Sequence, residues 1–320
     1  MYKRQVERCF PNPNVEAPCP ALADAPPYFP CTDTYELVLA WLSGPDTQDA
    51  LCCYQVDVSA MNDPACAGGV GRPFMVESTA ERAAVVESEA PRSWQHASQA
   101  PNVSDLDPRT RASLAKAWAD DASYEHASVA SFAKFSLELL AFGAPAELLR
   151  RAHQAALDEV RHAELGFALA SAYAGRALGP SRLGKATAVR CCQDIESFIF
   201  AVIREGCVGE TLAAVVASAQ QLVASDVAVR EALATIARDE ANHAELAWQT
   251  VSWAVQHFGA GAKEVAASAF ELAIAEALAA DLPLELAHHA HGRLSSDEHR
   301  AERARAIREV VSPAVVALLA

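Results

Sequence analysis

The phrase Asp-Glu-x-x-His-Ala-Glu-Leu occurs twice in the chain, at Asp158–Leu165 and again at Asp239–Leu246. In each copy a histidine follows a glutamate after three residues, and on an α-helix this spacing puts both side chains on one face, one turn apart. A carboxylate and an imidazole placed in this way can bind the same metal ion. The repeat therefore predicts two half-sites for metal, one on each of two helices.

Two further acids precede the repeats at similar distances. Glu125 lies 34 residues before Glu159, and Glu210 lies 30 residues before Glu240. Two antiparallel helices joined by a short turn bring residues about this far apart to the same height. A dinuclear carboxylate site in a helical bundle takes a Glu-x-x-His motif from two helices and one glutamate from each of the other two. The predicted metal ligands are Glu125, Glu159, His162, Glu210, Glu240 and His243.

The acid on the third helix has a second candidate. Glu205 lies 35 residues before Glu240 and also fits the hairpin spacing. We prefer Glu210, because the small and apolar residues after it parallel those after the acid of the first helix. Glu205 remains a second-choice ligand, or an acid that contacts the ligands without binding the metal itself. Gly206 and Gly209 each cost about 1 kcal/mol inside a helix, so they indicate close helix packing or a distorted helix beside the site.

Metal binding competes with a simpler interpretation of the repeat. A single Glu-x-x-His motif on an alanine-rich helix is more often part of a solvent-exposed face than a ligand pair. Two copies at matching positions, each paired with an acid on the preceding helix, favour a dinuclear metal site. Carboxylate-rich ligation with one imidazole per ion favours iron or manganese over zinc or copper. The predicted cofactor is a pair of iron ions, with a mixed manganese and iron pair as the alternative.

The elements that must position these residues begin at Asp107, where the sequence becomes rich in alanine and leucine with helical periodicity. Asp107 and Pro108 form a helix start signal, and Gly143 begins a break. The pattern predicts helices over about 108–142, 145–173, 193–224, 226–257, 263–280 and 296–319. The first four, with a longer connection between the second and third, outline an all-α four-helix bundle with one crossover, followed by two extra C-terminal helices.

Residues 1–105 are rich in proline and form a predicted small, irregular domain with a linker, before the bundle at 106–260 and the C-terminal extension at 261–320. Short elements, expected to be strands, lie at 33–42 and 51–58. Six cysteines occur in this part, namely Cys9, Cys19, Cys31, Cys52, Cys53 and Cys66. An even number in a loop-rich segment resembles a disulfide framework and would indicate an oxidising compartment.

The expected location of the protein depends on these cysteines. The first ten residues lack the apolar core of a signal peptide. The protein is therefore either cytoplasmic with reduced thiols, or exported from a start site further upstream with its thiols oxidised.

Net charge and hydropathy limit the classes of partner. The formal net charge is −15 and the pI is about 5.1, which argues against binding to nucleic-acid phosphates or to anionic membranes. The longest apolar stretches, at 198–203 and 265–280, are too short or contain a glutamate, so no membrane span is expected.

The segments DEVRH at 158–162 and DEANH at 239–243 resemble the D/E-E-x-R-H signature of the ferritin-like di-iron carboxylate proteins. This superfamily includes acyl-carrier-protein desaturases, bacterial multicomponent monooxygenases, rubrerythrins and the small subunits of ribonucleotide reductase. The resemblance covers about residues 107–258 and does not single out one member. Two departures stand out: Asn242 replaces the arginine in the second copy, and the chain lacks the paired C-x-x-C motifs of classical rubrerythrins.

The resemblance implies a role for each ligand. Glu159 and Glu240 bridge the two ions at the reacting centre, and the other ligands complete one ion each, as the pairs Glu125 with His162 and Glu210 with His243. Asp158 hydrogen-bonds to the histidine of the second repeat and Asp239 to the histidine of the first. Such bonds fix the tautomer and orientation of an imidazole that binds a metal.

Three functions follow as hypotheses. The first is an oxidase or oxygenase that activates O₂ at the two ions and acts on a small organic substrate, with an electron-donor protein as a further partner. The second is a ferroxidase or a peroxide-scavenging protein, for which iron or peroxide is the substrate. The third is a non-catalytic, metal-stabilised bundle with the cysteine-rich domain as a binding module. The additional segments at both ends slightly favour the first, although they would equally serve a homodimer.

Overall fold

A computed structural model of the chain describes residues 5–11, 51–57, 72–76, 79–87, 94–97, 99–280 and 287–320. The chain divides into two compact units, Met1–Ala67 and Gly68–Ala320. The described residues are mostly helical, which agrees with the predicted all-α class. The predicted domain limits at 105 and 260 stay predictions.

The first unit contains one described antiparallel strand pair. Strand β1 spans Gln5–Pro11 and strand β2 spans Leu51–Asp57, within the short element expected at 51–58. The element expected at 33–42 lies outside the described residues, and so do Cys19, Cys31 and Cys66. The disulfide framework therefore stays a prediction.

The second unit begins its helical part with a long hairpin. Helix α1 spans Pro108–Ala141, and the side chain of Asp107 accepts hydrogen bonds from the first backbone N–H groups of the helix. Such a cap satisfies donors that have no partner inside a helix. After a short turn, helix α2 spans Ala146–Ala174. It ends at Gly175, whose φ of 69° is in the left-handed region that glycine adopts without strain.

The second hairpin differs from the prediction in its first arm. The sequence predicts one helix over 193–224, whereas the structure has helix α3 at Ile195–Ala201, a π-helix at Val202–Glu210 and helix α4 at Thr211–Val223. Helix α5 then spans Val227–Phe258. A π-helix has i→i+5 hydrogen bonds and more residues per turn than an α-helix, and such segments are frequently found at functional sites.

The C-terminal part adds further helices. Helix α6 spans Ala260–Ala279, helix α7 spans Ser296–Ala306, and helix α8 spans Ser312–Leu319. A short π-helix at Ile307–Val311 joins the last two. Within the ranges that the structure describes, no helix is both long enough and apolar enough to cross a lipid bilayer.

Packing of the long helices creates two apolar layers. Helix α1 packs against α2. Helix α4 and the π-helix before it pack against α5, and α2 also contacts α5. One core cluster includes buried apolar residues between positions 132 and 139 of α1 and between 246 and 254 of α5. The other includes buried apolar residues between positions 114 and 119 of α1 and between 228 and 233 of α5. On both helices, the polar residues of the predicted site lie between the two clusters.

A segment that precedes the helices lies along α1. We call residues 72–76 and 79–87 the strap. It contains strands β3 at Met75–Val76, β4 at Thr79–Ala80 and β5 at Val85–Glu87. Strand β5 pairs with β6, which spans Leu178–Pro180. Three buried serine hydroxyls of α1 donate to the backbone of the strap. The bonds are Ser128 Oγ to Arg72 O at 2.7 Å, Ser131 Oγ to Pro73 O at 2.8 Å and Ser123 Oγ to Ala83 O at 2.7 Å.

Candidate metal centre

Six acidic and histidine side chains converge between the two apolar layers. They form two groups, in each of which the potential ligand atoms lie within 4.8 Å of one another. Glu159 and Glu240 belong to both groups. Each group could hold a metal ion, and the two ions would share these carboxylates. The groups are Glu125, Glu159, His162 and Glu240, and Glu159, Glu210, Glu240 and His243.

Small residues let the helices of each hairpin approach closely beside this cluster. A Cβ atom added to Gly166 of α2 would lie 2.8 Å from Ala122 Cβ of α1. A Cβ on Gly206 of the π-helix would overlap Ala247 Cβ of α5. Both distances are below the 3.0 Å that real Cβ atoms essentially never show. Gly206 therefore allows close packing of the π-helix against α5. This agrees with the prediction, made from the cost of glycine in a regular helix, of close packing or a distorted helix at this point.

Nearly the whole cluster is withdrawn from solvent. Glu159, His162, Glu210, Glu240 and His243 are each at most 2% exposed. Glu125 is the exception, since 15% of its side chain is exposed. Burial of ionisable groups costs several kcal/mol unless each group is paired or binds a metal. The side of the cluster at Glu125 is therefore where solvent reaches it.

The two imidazoles are oriented by aspartates from the opposite repeat. His162 Nε2 lies 3.2 Å from Asp239 Oδ2, and His243 Nε2 lies 3.4 Å from Asp158 Oδ2. Because an ionised carboxylate only accepts hydrogen bonds, each Nε2 carries the proton and donates. Nδ1 of each ring then faces the cluster, at 3.3 Å from a Glu240 oxygen for His162 and 3.2 Å from a Glu159 oxygen for His243.

One arginine serves both aspartates. Arg161 Nη2 lies 2.8 Å from Asp158 Oδ1 and 2.6 Å from Asp239 Oδ2. This double contact explains why Asn242 can occupy the equivalent position in the second repeat. The backbone oxygen of Asn242 instead accepts a hydrogen bond from Arg151 Nη2 at 3.0 Å.

The atoms without hydrogen-bond partners test whether these residues suit a metal. Buried polar atoms in proteins are nearly always hydrogen-bonded. Inside the cluster, several buried atoms have no such partner among the described residues, and all are atom types that bind metal ions. They are Glu159 Oε2, His162 Nδ1, both carboxylate oxygens of Glu210, Glu240 Oε2 and His243 Nδ1. The residues therefore fit the binding of metal.

The carboxylates divide into two kinds. Burial and the charge of Glu159 raise the pKa of Glu125 well above its usual value, and burial and the charge of Glu240 do the same for Glu210. Burial acts in the same direction on Glu159 and Glu240, but the adjacent imidazoles of His162 and His243 prevail and lower the pKa of both. The two shared carboxylates are thus the ones that stay ionised most readily.

The histidines shift in the opposite sense. Burial lowers the pKa of an imidazole, but the surrounding carboxylates prevail and raise the pKa of His162 and His243 well above the usual value. With protons on both histidines, Glu125 and Glu210, and none on the two shared carboxylates, the metal-free cluster has no net charge. Replacing those four protons by two divalent ions also leaves no net charge.

Glu205 lies outside this arrangement. It belongs to neither group in the described part of the chain. Its charge, together with that of Glu138, raises the pKa of Lys134 against the effect of burial. The acid that the structure brings to the cluster is thus Glu210, whereas Glu205 acts electrostatically on Lys134.

Arg72 is a residue that the sequence did not indicate. It is 3% exposed, and its Nε lies 3.9 Å from Glu210 Oε1. The guanidinium carbon lies 4.3 Å from the ring centroid of Phe135 and 4.8 Å from that of Phe132. Arg72 stands in a Gly- and Pro-containing stretch with no periodic pattern, so nothing in the sequence placed it beside the third helix.

Comparison of the chain with protein-family models, curated proteins and solved structures found no match. The site is therefore interpreted from its own geometry.

Proposed function

We propose that the chain is a di-iron oxidoreductase of the ferritin-like type that activates O₂ and acts on a small organic substrate. The observation that supports this most is the pair of overlapping ligand groups that share Glu159 and Glu240. Two ions that share carboxylates lie close enough to react together with one small molecule, which a single buried ion would not allow.

The donor set favours iron or manganese. Each proposed ion has carboxylate oxygens and one imidazole nitrogen, and no thiolate lies in either group of the described residues. Such a set suits iron or manganese better than zinc or copper. In the proposed centre, Glu159 and Glu240 would contribute to both ions, Glu125 and His162 would complete one ion, and Glu210 and His243 would complete the other. When bound, two ferrous ions supply the electrons that reduce O₂.

The protein contributes orientation and exclusion of water. Asp158 and Asp239 hold the imidazoles with Nδ1 toward the ions, and Arg161 holds both aspartates in place. Supporting partners of this kind typically change metal affinity or activity by about 10–100-fold when they are removed. The apolar layers on both sides of the cluster keep bulk water from the reacting atoms.

The buried charge of Arg72 favours an organic substrate over iron as the substrate. A ferroxidase must pass many iron ions through its centre. A guanidinium 3.9 Å from Glu210 repels cations on that side of the cluster. It would not hinder an organic molecule, and it would attract an anionic one.

Metal analysis tests the centre itself. Glu159→Ala and Glu240→Ala should each reduce bound iron from about two ions per chain to less than one, because both ions lose a ligand. Glu164→Ala is the matched control, since Glu164 lies in the same repeat but in neither ligand group of the described chain. Full iron content in both ligand variants would overturn the proposal.

Rapid mixing tests the reaction. Anaerobic protein loaded with two ferrous ions should show a transient visible absorption after O₂ is added, and the transient should decay faster with the correct organic substrate. Rapid turnover of a large excess of ferrous iron would instead show a ferroxidase, and turnover of peroxide would show a scavenger. A loaded protein that consumes neither O₂ nor peroxide would support a metal-stabilised structural role.

A further inference from the structure

We propose that Arg72 binds the carboxylate of a small organic acid beside the Glu210–His243 half of the centre, so that this half takes up its metal ion together with an anion. The inference rests on the proposed dinuclear centre and names the chemical class of its substrate, an apolar monocarboxylic acid.

The position of Arg72 is fixed by the strap and by α1. Ser128 Oγ donates to the backbone oxygen of Arg72, and Ser131 Oγ donates to that of Pro73. A Cβ on Gly206 would lie 2.9 Å from Arg72 Nη2, so the absence of a side chain at that position makes room for the guanidinium. Two independent features of the chain therefore bring this cation to the cluster.

The hydrogen-bonding capacity of the guanidinium is not fully used. Nε of Arg72 is buried and has no hydrogen-bond partner within the described residues. The ion pair with Glu210, at 3.9 Å, is too long for a hydrogen bond. A buried arginine without a full set of partners is costly, and a second anion at this point would supply them.

The position of the guanidinium distinguishes the two halves of the cluster. Arg72 Nε lies 3.9 Å from Glu210 Oε1, so an anion bound by Arg72 would lie beside the Glu210–His243 half. The other half, with Glu125 and His162, lies at the side that solvent reaches.

A carboxylate is the anion that fits best. Nε and the neighbouring terminal nitrogen of a guanidinium form a planar fork that matches two carboxylate oxygens. Phe132 and Phe135 lie beside the guanidinium, and Phe132 also lies edge-on to His243 with ring centroids 5.0 Å apart. Both rings are buried, and in the proposed complex the remainder of the acid packs against them.

The simpler alternative is that Arg72 only pairs with Glu210 after the metal ions bind. In that case Arg72 would still support the centre, but added acids would not change metal affinity. If the proposal holds, binding of the acid and of the second ion must strengthen each other by the same factor, because coupling of two binding equilibria is reciprocal.

The experiment is a titration of the full metal-free chain with Co²⁺, followed by visible absorption and calorimetry, with hexanoate, acetate or neutral hexanol present. We expect hexanoate to tighten binding of the second Co²⁺ by about tenfold, within the usual range of such couplings. Acetate should act more weakly, and hexanol should have no effect. Calorimetry of hexanoate alone should show much weaker binding to the metal-free protein than to the protein with two ions.

Variants assign the effect to Arg72. Arg72→Gln should bind the second Co²⁺ more tightly without acid, since a repelling charge is gone, and should lose the response to hexanoate. Arg82→Gln is the matched control, because Arg82 lies in the same strap but over the ring of Tyr124, at 4.0 Å from its centroid. It should respond to hexanoate as the unaltered protein does.

The outcomes separate the two proposals. Two Co²⁺ ions bound with no response to hexanoate in the unaltered protein would overturn the role of Arg72 and leave the dinuclear centre standing. An equal response in Arg72→Gln would overturn it as well. Failure to bind two ions under any condition would overturn both proposals. The acid dependence of the unaltered protein tests the role of the anion even if Arg72→Gln does not fold.

Discussion

Replacing Gly206 by alanine should destabilise the protein, although alanine is the better helix former. In an ordinary helix interior the change would stabilise by up to about 1 kcal/mol. Here the new Cβ would overlap Ala247 Cβ and would lie 2.9 Å from Arg72 Nη2. Overpacking of a tight core typically costs about 1–3 kcal/mol, so the net loss in the free energy of unfolding should be about 1–2 kcal/mol.

Chemical denaturation with a matched pair of variants measures this effect. Gly261→Ala is the control, because Gly261 also lies in a helix but a Cβ there would meet no described heavy atom within 4 Å. We expect Gly261→Ala to be neutral or to stabilise by up to about 1 kcal/mol. For a unit of this size, a loss of 1–2 kcal/mol corresponds to a fall in Tm of roughly 2–8 °C.

A double variant decides whether the overlap with α5 is the cause. Ala247→Gly removes the atom that the new Cβ would meet, so Gly206→Ala with Ala247→Gly should be more stable than the sum of the single effects, by about 1 kcal/mol or more. Strict additivity, or a Gly206→Ala variant as stable as the Gly261→Ala control, would refute the close-packing explanation of the π-helix.

Three further predictions concern the surroundings of the cluster. Hydrogen bonds and charge from His162 and Arg161 outweigh the effect of burial and lower the pKa of Asp239 to about 2 from a usual 3.8. This shift is equivalent to roughly 2 kcal/mol of stability, which is present above about pH 4 and is lost as the pH falls toward 2. Urea unfolding of the metal-free protein and of Asp239→Asn should therefore differ at neutral pH and converge near about pH 2, and a constant difference would contradict this account. Ser128→Ala should lower the free energy of unfolding by about 1 kcal/mol and speed proteolysis within the strap, because it removes the hydrogen bond to the backbone of Arg72. An unchanged rate of proteolysis would show that other contacts hold the strap. Loading the metal-free protein with two Co²⁺ ions at about pH 6 should release up to four protons, which an indicator dye would measure. The number released should fall as the pH rises through the raised pKa values of the ligands. Release that does not change with pH would contradict the proposed protonation of the cluster.

Local patterns in the sequence were sufficient for much of this structure. The Asp107 cap, the helical periodicity and the break at Gly143 determine helix limits through interactions within a few residues. The hairpin spacing placed Glu125 and Glu210 at the height of the repeats, because rise per residue along a helix is constant. These features could be predicted because each depends on short-range geometry.

Other features depend on contacts between distant parts of the chain. Arg72 is 138 residues from Glu210, and no periodic signal connects them. The glycines at 206 and 209 indicated a distortion or a close approach, but not the form or length of the π-helix. Arg161 serves both aspartates only because α2 and α5 pack together, so the missing arginine at Asn242 looked like a departure in the sequence alone.

The strap is attached to α1 through backbone oxygens, whereas its contribution to the cluster comes from a side chain. The serines of α1 bind backbone oxygens, which every residue type possesses, so the attachment does not depend on which side chain occupies position 72. The guanidinium itself is buried beside Phe132 and Phe135, in the space that Gly206 leaves open, so a substitution at position 72 changes both the charge next to the cluster and the packing around it. The strap is thus held by groups common to all residues, while one side chain on it determines the charge beside Glu210.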